Sequence, residues 1–167
     1  SGGGGGLAVL CLHIDRFSEI NLAHGNAVGN AVLQHLAGRL RAAAPPTATV
    51  ARLGGDEFAV VWDGPCHAGQ GATLAGHLAA VLSQPCAVGA LLLHLEVHVG
   101  LRLGDAGLEA GLDTAADDLL QDAGIAMREA RRGGPGRHAL FDPAMKARAV
   151  HRAMVERGQC QRRDDRA

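Results

Sequence analysis

A chain of 167 residues with 16 basic and 17 acidic side chains is close to neutral, which argues against any electrostatic grip on a long nucleic acid. The length suits one domain with a real core, and that core must be aliphatic, because aromatics make up 2% of the chain and Tyr is absent. No apolar run is long enough for a membrane span, no signal peptide is visible, and the four cysteines show neither paired nor metal-knuckle spacing, so a reducing cytoplasmic compartment is expected.

The opening SGGGGG, residues 1–6, reads as a flexible leader or expression remnant. LAVLCLHID, Leu7 to Asp15, is mostly apolar and ends in polar residues, the pattern of a buried strand. AVGNAVLQHLAGRLRAAA sets Val28, Val32, Leu33, Leu36 and Leu40 at helical spacing, and Pro45-Pro46 stops that helix. TATVARL and FAVVW flank Gly-Gly-Asp-Glu as the two arms of a hairpin. GATLAGHLAAVLS is a second amphipathic helix, closed by Pro85.

LLLHLEVHVGLRL, residues 91–103, alternates strictly. It predicts one half-covered strand with Leu93, Leu95, Val97, Val99 and Leu101 on one face and His94, Glu96, His98 and Arg102 on the other. DTAADDLLQDAGIAMREARR is a helix with Leu119, Leu120, Ala123 and Met127 inward, ended by Gly133 and Gly134. HALF is a short strand, and DPAMKARAVHRAMVERGQC a terminal helix with a charged face.

The order β-α-β-β-α-β is that of the ferredoxin-like split unit: an α+β fold whose central, mostly antiparallel sheet is flanked by helices. In that arrangement the end of the first strand neighbours the central hairpin, so Asp15 and its surroundings should lie beside Asp56 and Glu57. Paired acids next to a strand end suit Mg²⁺ held through oxygens, with a nucleoside triphosphate as co-ligand. Gly54 and Gly55 lack Cβ atoms, so phosphate or ribose can come close to the backbone. A merely solvated turn is the alternative reading of the same four residues. His94, Glu96 and His98 could gather a transition metal, although alternating polar residues on a half-exposed strand are far commoner.

HIDRFSEINLAHGNAVGNAVLQHLA followed by ARLGGDEFAVV resembles the GGDEF family, the diguanylate cyclase domains of bacterial signalling. The resemblance runs from Leu7 to Phe141 and takes in VHVGL and AGIAMREARRGGPGR. It implies a palm-type GGDEF domain over residues 7–142, followed by a linker helix and tail over 143–167. FDPAMKARAVHRAMVERG is similar to the helix that joins GGDEF domains to a following EAL phosphodiesterase domain.

The family activity implied is condensation of two GTP into cyclic di-GMP and pyrophosphate, by two domains facing each other as a homodimer with divalent ions, Mg²⁺ or Mn²⁺. Carried over by position, Asp56 would be a metal ligand, Glu57 its acidic neighbour at the catalytic centre, and Ile14 a backbone ligand to the metal. Asn21 and Asn30 would meet the guanine edge, and backbone amides near Arg16 and Phe17 would hold phosphate beside Gly54 and Gly55. Arg131, standing where the family has Lys, and Arg137 would clamp phosphates, since Arg keeps the charge and adds a bidentate fork.

Several positions depart from that pattern. His13 stands where the family places its first metal-binding Asp, and imidazole is neutral and softer than the hard, anionic oxygen that Mg²⁺ wants. Asn30 stands in place of the Asp that reads guanine; an amide offers one acceptor and opposes a second donor with its own NH₂, a mismatch of about 1–3 kcal/mol. Ser18, Leu22 and Asn26 replace a Lys, an Asp and a His. The product-inhibition motif Arg-x-x-Asp should fall at residues 45–48, where PPTA holds neither charge. The expectation is a degenerate module that regulates or dimerises and binds GTP weakly. The alternatives are an active cyclase and a non-binding scaffold for an EAL domain.

Overall fold

A computed structural model describes residues 6–64, 67–105, 112–133 and 138–164 of the chain. In chain order the elements are β1 (Gly6–Ile14), α1 (Phe17–His24), α2 (Asn26–Ala43), β2 (Ala48–Gly54), β3 (Glu57–Gly64) and α3 (Ala68–Leu82). A small pair follows, β4 (Cys86–Val88) and β5 (Leu91–Leu93), then β6 (Val97–Asp105), α4 (Leu112–Arg132), β7 (His138–Leu140) and α5 (Pro143–Asp164). The main sheet has the order β2-β3-β1-β6-β7, antiparallel throughout except for the parallel edge pair β6–β7. The first four strands in space are those of the split unit expected from the sequence.

β1 takes the centre because it is apolar on both faces. Leu10, Leu12 and Ile14 point into the larger core, with Leu36 and Leu40 of α2 and Leu78 and Leu82 of α3. Val9 and Cys11, on the opposite face, pack under Leu119, Ala123 and Met127 of α4. Burying each such Leu or Val contributes about 1.5–3 kcal/mol, and aliphatics supply nearly all of it here.

Three features differ from the sequence expectation. Residues 91–103 are two strands, not one: β5 pairs with β4 in a separate two-stranded sheet, and β6 belongs to the main sheet. The alternation of side chains runs on through His94–Glu96 while the backbone changes partners, which side-chain periodicity cannot report. β6 is also covered on both faces, because α4 lies across it; His98, assigned to the open face, is 1% exposed. Finally, α1 was not foreseen. It is only eight residues long, entered through Arg16 in the left-handed region (φ 56°) and left through Gly25 (φ 91°).

α3 begins three residues before the apolar pattern does. The His67 side chain accepts from the Gly69 and Gln70 amides, and the Gln70 side chain accepts from the His67 amide, a reciprocal cap. α5 is held to α4 by charge: Glu129 meets Arg152 at 2.6 Å and Arg148 at 3.8 Å, and Lys146 stands 4.0 Å from Asp122. The hydrogen bond from Arg152 is the main reason the Glu129 carboxyl lies below its usual range. No helix among the described residues is long and apolar enough to cross a membrane.

α4 approaches β6 through Gly100, with no side chain between. A Cβ there would overlap the Ala123 carbonyl oxygen and the Met127 amide, all backbone and unable to yield. Gly100→Ala is therefore expected to destabilise the fold by about 3 kcal/mol. Gly38→Ala, at an exposed position of α2 with nothing within 4 Å of the new methyl, should stabilise it by about 0.5–1 kcal/mol. Urea unfolding of the two variants checks both signs.

Candidate functional site

The end of β1 and the turn of the β2–β3 hairpin lie side by side. Register puts His13 opposite Glu57 on one side and His98 on the other. The pairing shifts between Arg52 and Gly54, and Gly54 (φ 144°) and Gly55 (φ 42°) both occupy backbone regions that L side chains rarely adopt. Arg52 Nε donates to the Gly55 carbonyl at 3.3 Å, bracing the turn. The Ile14 amide then donates to the Asp56 carbonyl at 3.0 Å, locking the acidic corner against the strand end.

His13 and Asp56 meet directly. His13 Nε2 lies 2.9 Å from Asp56 Oδ2, with the imidazole 11% and the carboxylate 35% exposed. The resemblance implies a metal role for Asp56 and sets His13, a departure from the family's Asp, at the same centre; the structure has the two hydrogen-bonding each other. Asp15 is engaged as well. Its Oδ1 accepts from the Arg16 amide at 3.1 Å and lies 3.8 Å from Arg131 Nε, while its own amide donates to the Glu96 carbonyl. Arg131, from the last turn of α4, thus reaches the same strand end. His13, Ile14, Asp15, Asp56, Glu57 and Arg131 gather at this strand end, with residues 13 to 15 beside the acidic turn as the element order predicts.

Whether that cluster fits a divalent cation follows from its donors. Mg²⁺ needs hard oxygens in near-octahedral order, yet Asp56 is turned onto an imidazole and Asp15 onto an amide and a guanidinium. Among the described residues no group of three His, Cys, Asp or Glu side chains is placed to hold a metal ion. The arrangement as it stands fits Mg²⁺ poorly. The strand-face grouping of His94, Glu96 and His98 also dissolves: His94 and Glu96 border a hollow of about 400 Å³ with Asp15 and Arg16, whereas His98 is buried under α4.

The residues expected to read a base are divided. Asn21, on α1, lies so close over Gly29 that any Cβ there would collide with Asn21 Oδ1, an oxygen that is buried without a hydrogen-bond partner. Phe17 is buried against the same glycine. Asn30, one residue on, faces away into a groove of about 530 Å³ between α2 and the hairpin. Gln34, Arg41 and Arg52 line that groove too, over a floor that includes Leu33 and Phe58. None of these three polar residues was singled out from the sequence, although Gln34 stands at i+4 from Asn30 and so shares its helix face. Arg137 lies outside the described residues.

Comparison with known proteins points to one family. Residues 4–137 match the sequence profile described as diguanylate cyclase, GGDEF domain. The chain is 37% identical over 136 residues to the diguanylate cyclase TpbB of Pseudomonas aeruginosa, covering 81% of this chain and 30% of that protein. It is 34% identical over 144 residues to the bifunctional diguanylate cyclase/cyclic di-GMP phosphodiesterase MucR of the same organism, covering 85% of this chain and 20% of that protein. The solved GGDEF domain of TpbB superposes with a TM-score of 0.77 at 31% identity, covering 87% of this chain and 83% of that one. The chain spans 16% to 30% of the length of the curated relatives it matches.

Cys11 sits two residues before His13 on the same face, with its Sγ donating to the Leu120 carbonyl at 3.6 Å. Burial first, and the Glu57 carboxylate second, push its thiol up to about 11. In the unfolded chain the thiol ionises near its ordinary value of 9.0, so between 9 and 11 the folded state holds the proton longer. Stability should be intact below pH 9 and fall by up to about 2–3 kcal/mol as pH rises through that window. Urea titrations at pH 8, 9.5 and 11 check this, with Cys11→Ala expected to flatten the decline.

Proposed function

The chain belongs to the GGDEF family of diguanylate cyclase domains, and on that premise we propose that it is a degenerate member, a regulatory or dimerising module of cyclic di-GMP signalling that binds GTP weakly. The contact between His13 and Asp56 carries the reading. An imidazole nitrogen takes the carboxylate oxygen that a divalent cation would need, and the position loses one negative charge relative to the family's Asp. Arg131, the residue that would clamp phosphate, is drawn towards Asp15, so a triphosphate would have to compete with a carboxylate for it.

Asn30 supports the same reading, since it cannot accept from two guanine donors as a carboxylate does. Residues 45–48, PPTA, lack the charges of a product-inhibition site, which fits a domain that makes little product to sense. α5, carrying Arg148 and Arg152 onto Glu129, is suited to pass a change at α4 to an EAL phosphodiesterase partner. In bifunctional relatives such as MucR the two activities share one polypeptide.

An active cyclase is the second reading, favoured by the unaltered Asp56-Glu57 pair and by the third of Asp56 left exposed. Incubation with GTP and either Mg²⁺ or Mn²⁺, analysed for cyclic di-GMP by mass spectrometry and for binding by calorimetry, separates the readings. Binding without product is expected; product would establish the cyclase, and neither would leave a scaffold. The double variant His13→Asp with Asn30→Asp should bind GTP on the order of tenfold more tightly, and more so with Mg²⁺ than without. No gain in affinity would mean that these two positions are not what weakens the site.

A further inference from the structure

α5 meets the domain with one side and presents an apolar stripe on the other. Met145, Ala149 and Arg152, spaced i, i+4 and i+7, are half-buried towards α4, where Arg148 and Arg152 reach Glu129. Ala147, Val150 and Met154, spaced i, i+3 and i+7, stand on the opposite side of the helix. All three are exposed, Val150 by 49% and Met154 by 67%. Gly158 continues the stripe one turn further on. A helix buries its apolar stripe against a partner, and this stripe points away from the domain that holds the helix.

Charge narrows what can cover it. Lys146 and Arg157 flank the stripe on one side, His151 and Arg162 on the other, and all four are exposed. Glu156, at i+7 from Ala149, falls on the α4 side instead. A second copy of α5 would set cations against cations whether the two helices ran parallel or antiparallel, and such pairs are destabilising. An anionic lipid surface matches the charge but not the stripe. Helices that lie in a membrane interface bury Trp, Phe or Leu, and α5 has none of these. Ala147 and Gly158 are small, which lets the backbone of another helix come close.

We propose that the outer face of α5 docks a separate partner polypeptide through an amphipathic helix whose apolar stripe is flanked by Asp and Glu. Val150 and Met154 are the anchors, and the thioether of Met154 adapts to the facing surface. The flanking cations pair with the partner's acids at the rim, where they set encounter rate and choice of partner more than affinity. Arg148 and Arg152 keep Glu129 on the inner side, so docking leaves the contact with α4 in place. Nucleotide binding has no part in this inference.

The test is binding of three synthetic helical peptides to the intact chain, followed by fluorescence anisotropy. One has a Leu stripe flanked by Glu, one the same stripe flanked by Lys, and one Glu flanks with Ser in place of the stripe. The first should bind saturably and the other two at least about tenfold more weakly. Val150→Ser with Met154→Ser, both on the surface, should weaken the first peptide by about tenfold or more. Val155→Ser should change it less than about twofold: Val155 is also exposed, by 43%, but stands about 100° round the helix from Met154. Failure of the first peptide to bind, or either control peptide within about threefold of it, would overturn the proposal. So would equal losses in Val155→Ser and the double variant. Tighter partition onto phosphatidylglycerol vesicles would reassign the face to a lipid surface, and self-association abolished by the double variant would reassign it to a second copy.

Discussion

The pairing of β1 with β3 in one register organises everything else in the molecule. It places His13 opposite Glu57 and lets the Ile14 amide reach the Asp56 carbonyl, so the acidic turn cannot move without breaking the ladder beside it. A slip by one residue would send Leu10, Leu12 and Ile14 to the face occupied by Cys11 and His13, exchanging the two cores. Two-sided burial of β1 thus fixes the site as a consequence of packing. The geometry of the corner is therefore set by the sheet itself.

That chemistry turns on charge. A carboxylate at position 13 would stand near Asp56 and Glu57 as a third negative group, tolerable only with a cation between them. Histidine relieves that repulsion and supplies its own partner for Asp56 at 2.9 Å. Asp56 thus takes a protein partner, while the other ring nitrogen of His13, Nδ1, is buried without one. The same logic applies to Asp15, whose acceptors are met by the Arg16 amide and approached by Arg131. Ion pairs at this degree of exposure contribute modestly to stability, about 0–1 kcal/mol each. Their larger effect is on what else can bind.

α4 connects the separate parts. Gly100 admits its backbone to the sheet, Cys11 donates to its Leu120 carbonyl, and its last turn carries both Arg131 and Glu129. Two residues apart, these point to different places: one to the strand end that holds Asp15, the other to Arg148 and Arg152 of α5. A rigid helix with a contact at each of two sites is a physical route by which α5 and the corner can sense each other.

By itself the sequence determined the element order, the aliphatic core and the meeting of residues 13 to 15 with the acidic turn. Those follow from short-range patterns: helical spacing through Leu36 and Leu40, apolar runs at Leu7 and Phe58, and glycines that only a tight turn needs. Side-chain periodicity could not show that residues 91–103 change sheets, because alternation continues while hydrogen-bond partners switch. Nor could it show that α4 seals the second face of β6 over His98, since that contact joins segments far apart in the chain. Only the tertiary structure revealed that His13 turns onto Asp56, and that Asn30 parts from Asn21 to join Gln34, Arg41 and Arg52. Direction in space, unlike residue type, is settled by what each side chain packs against.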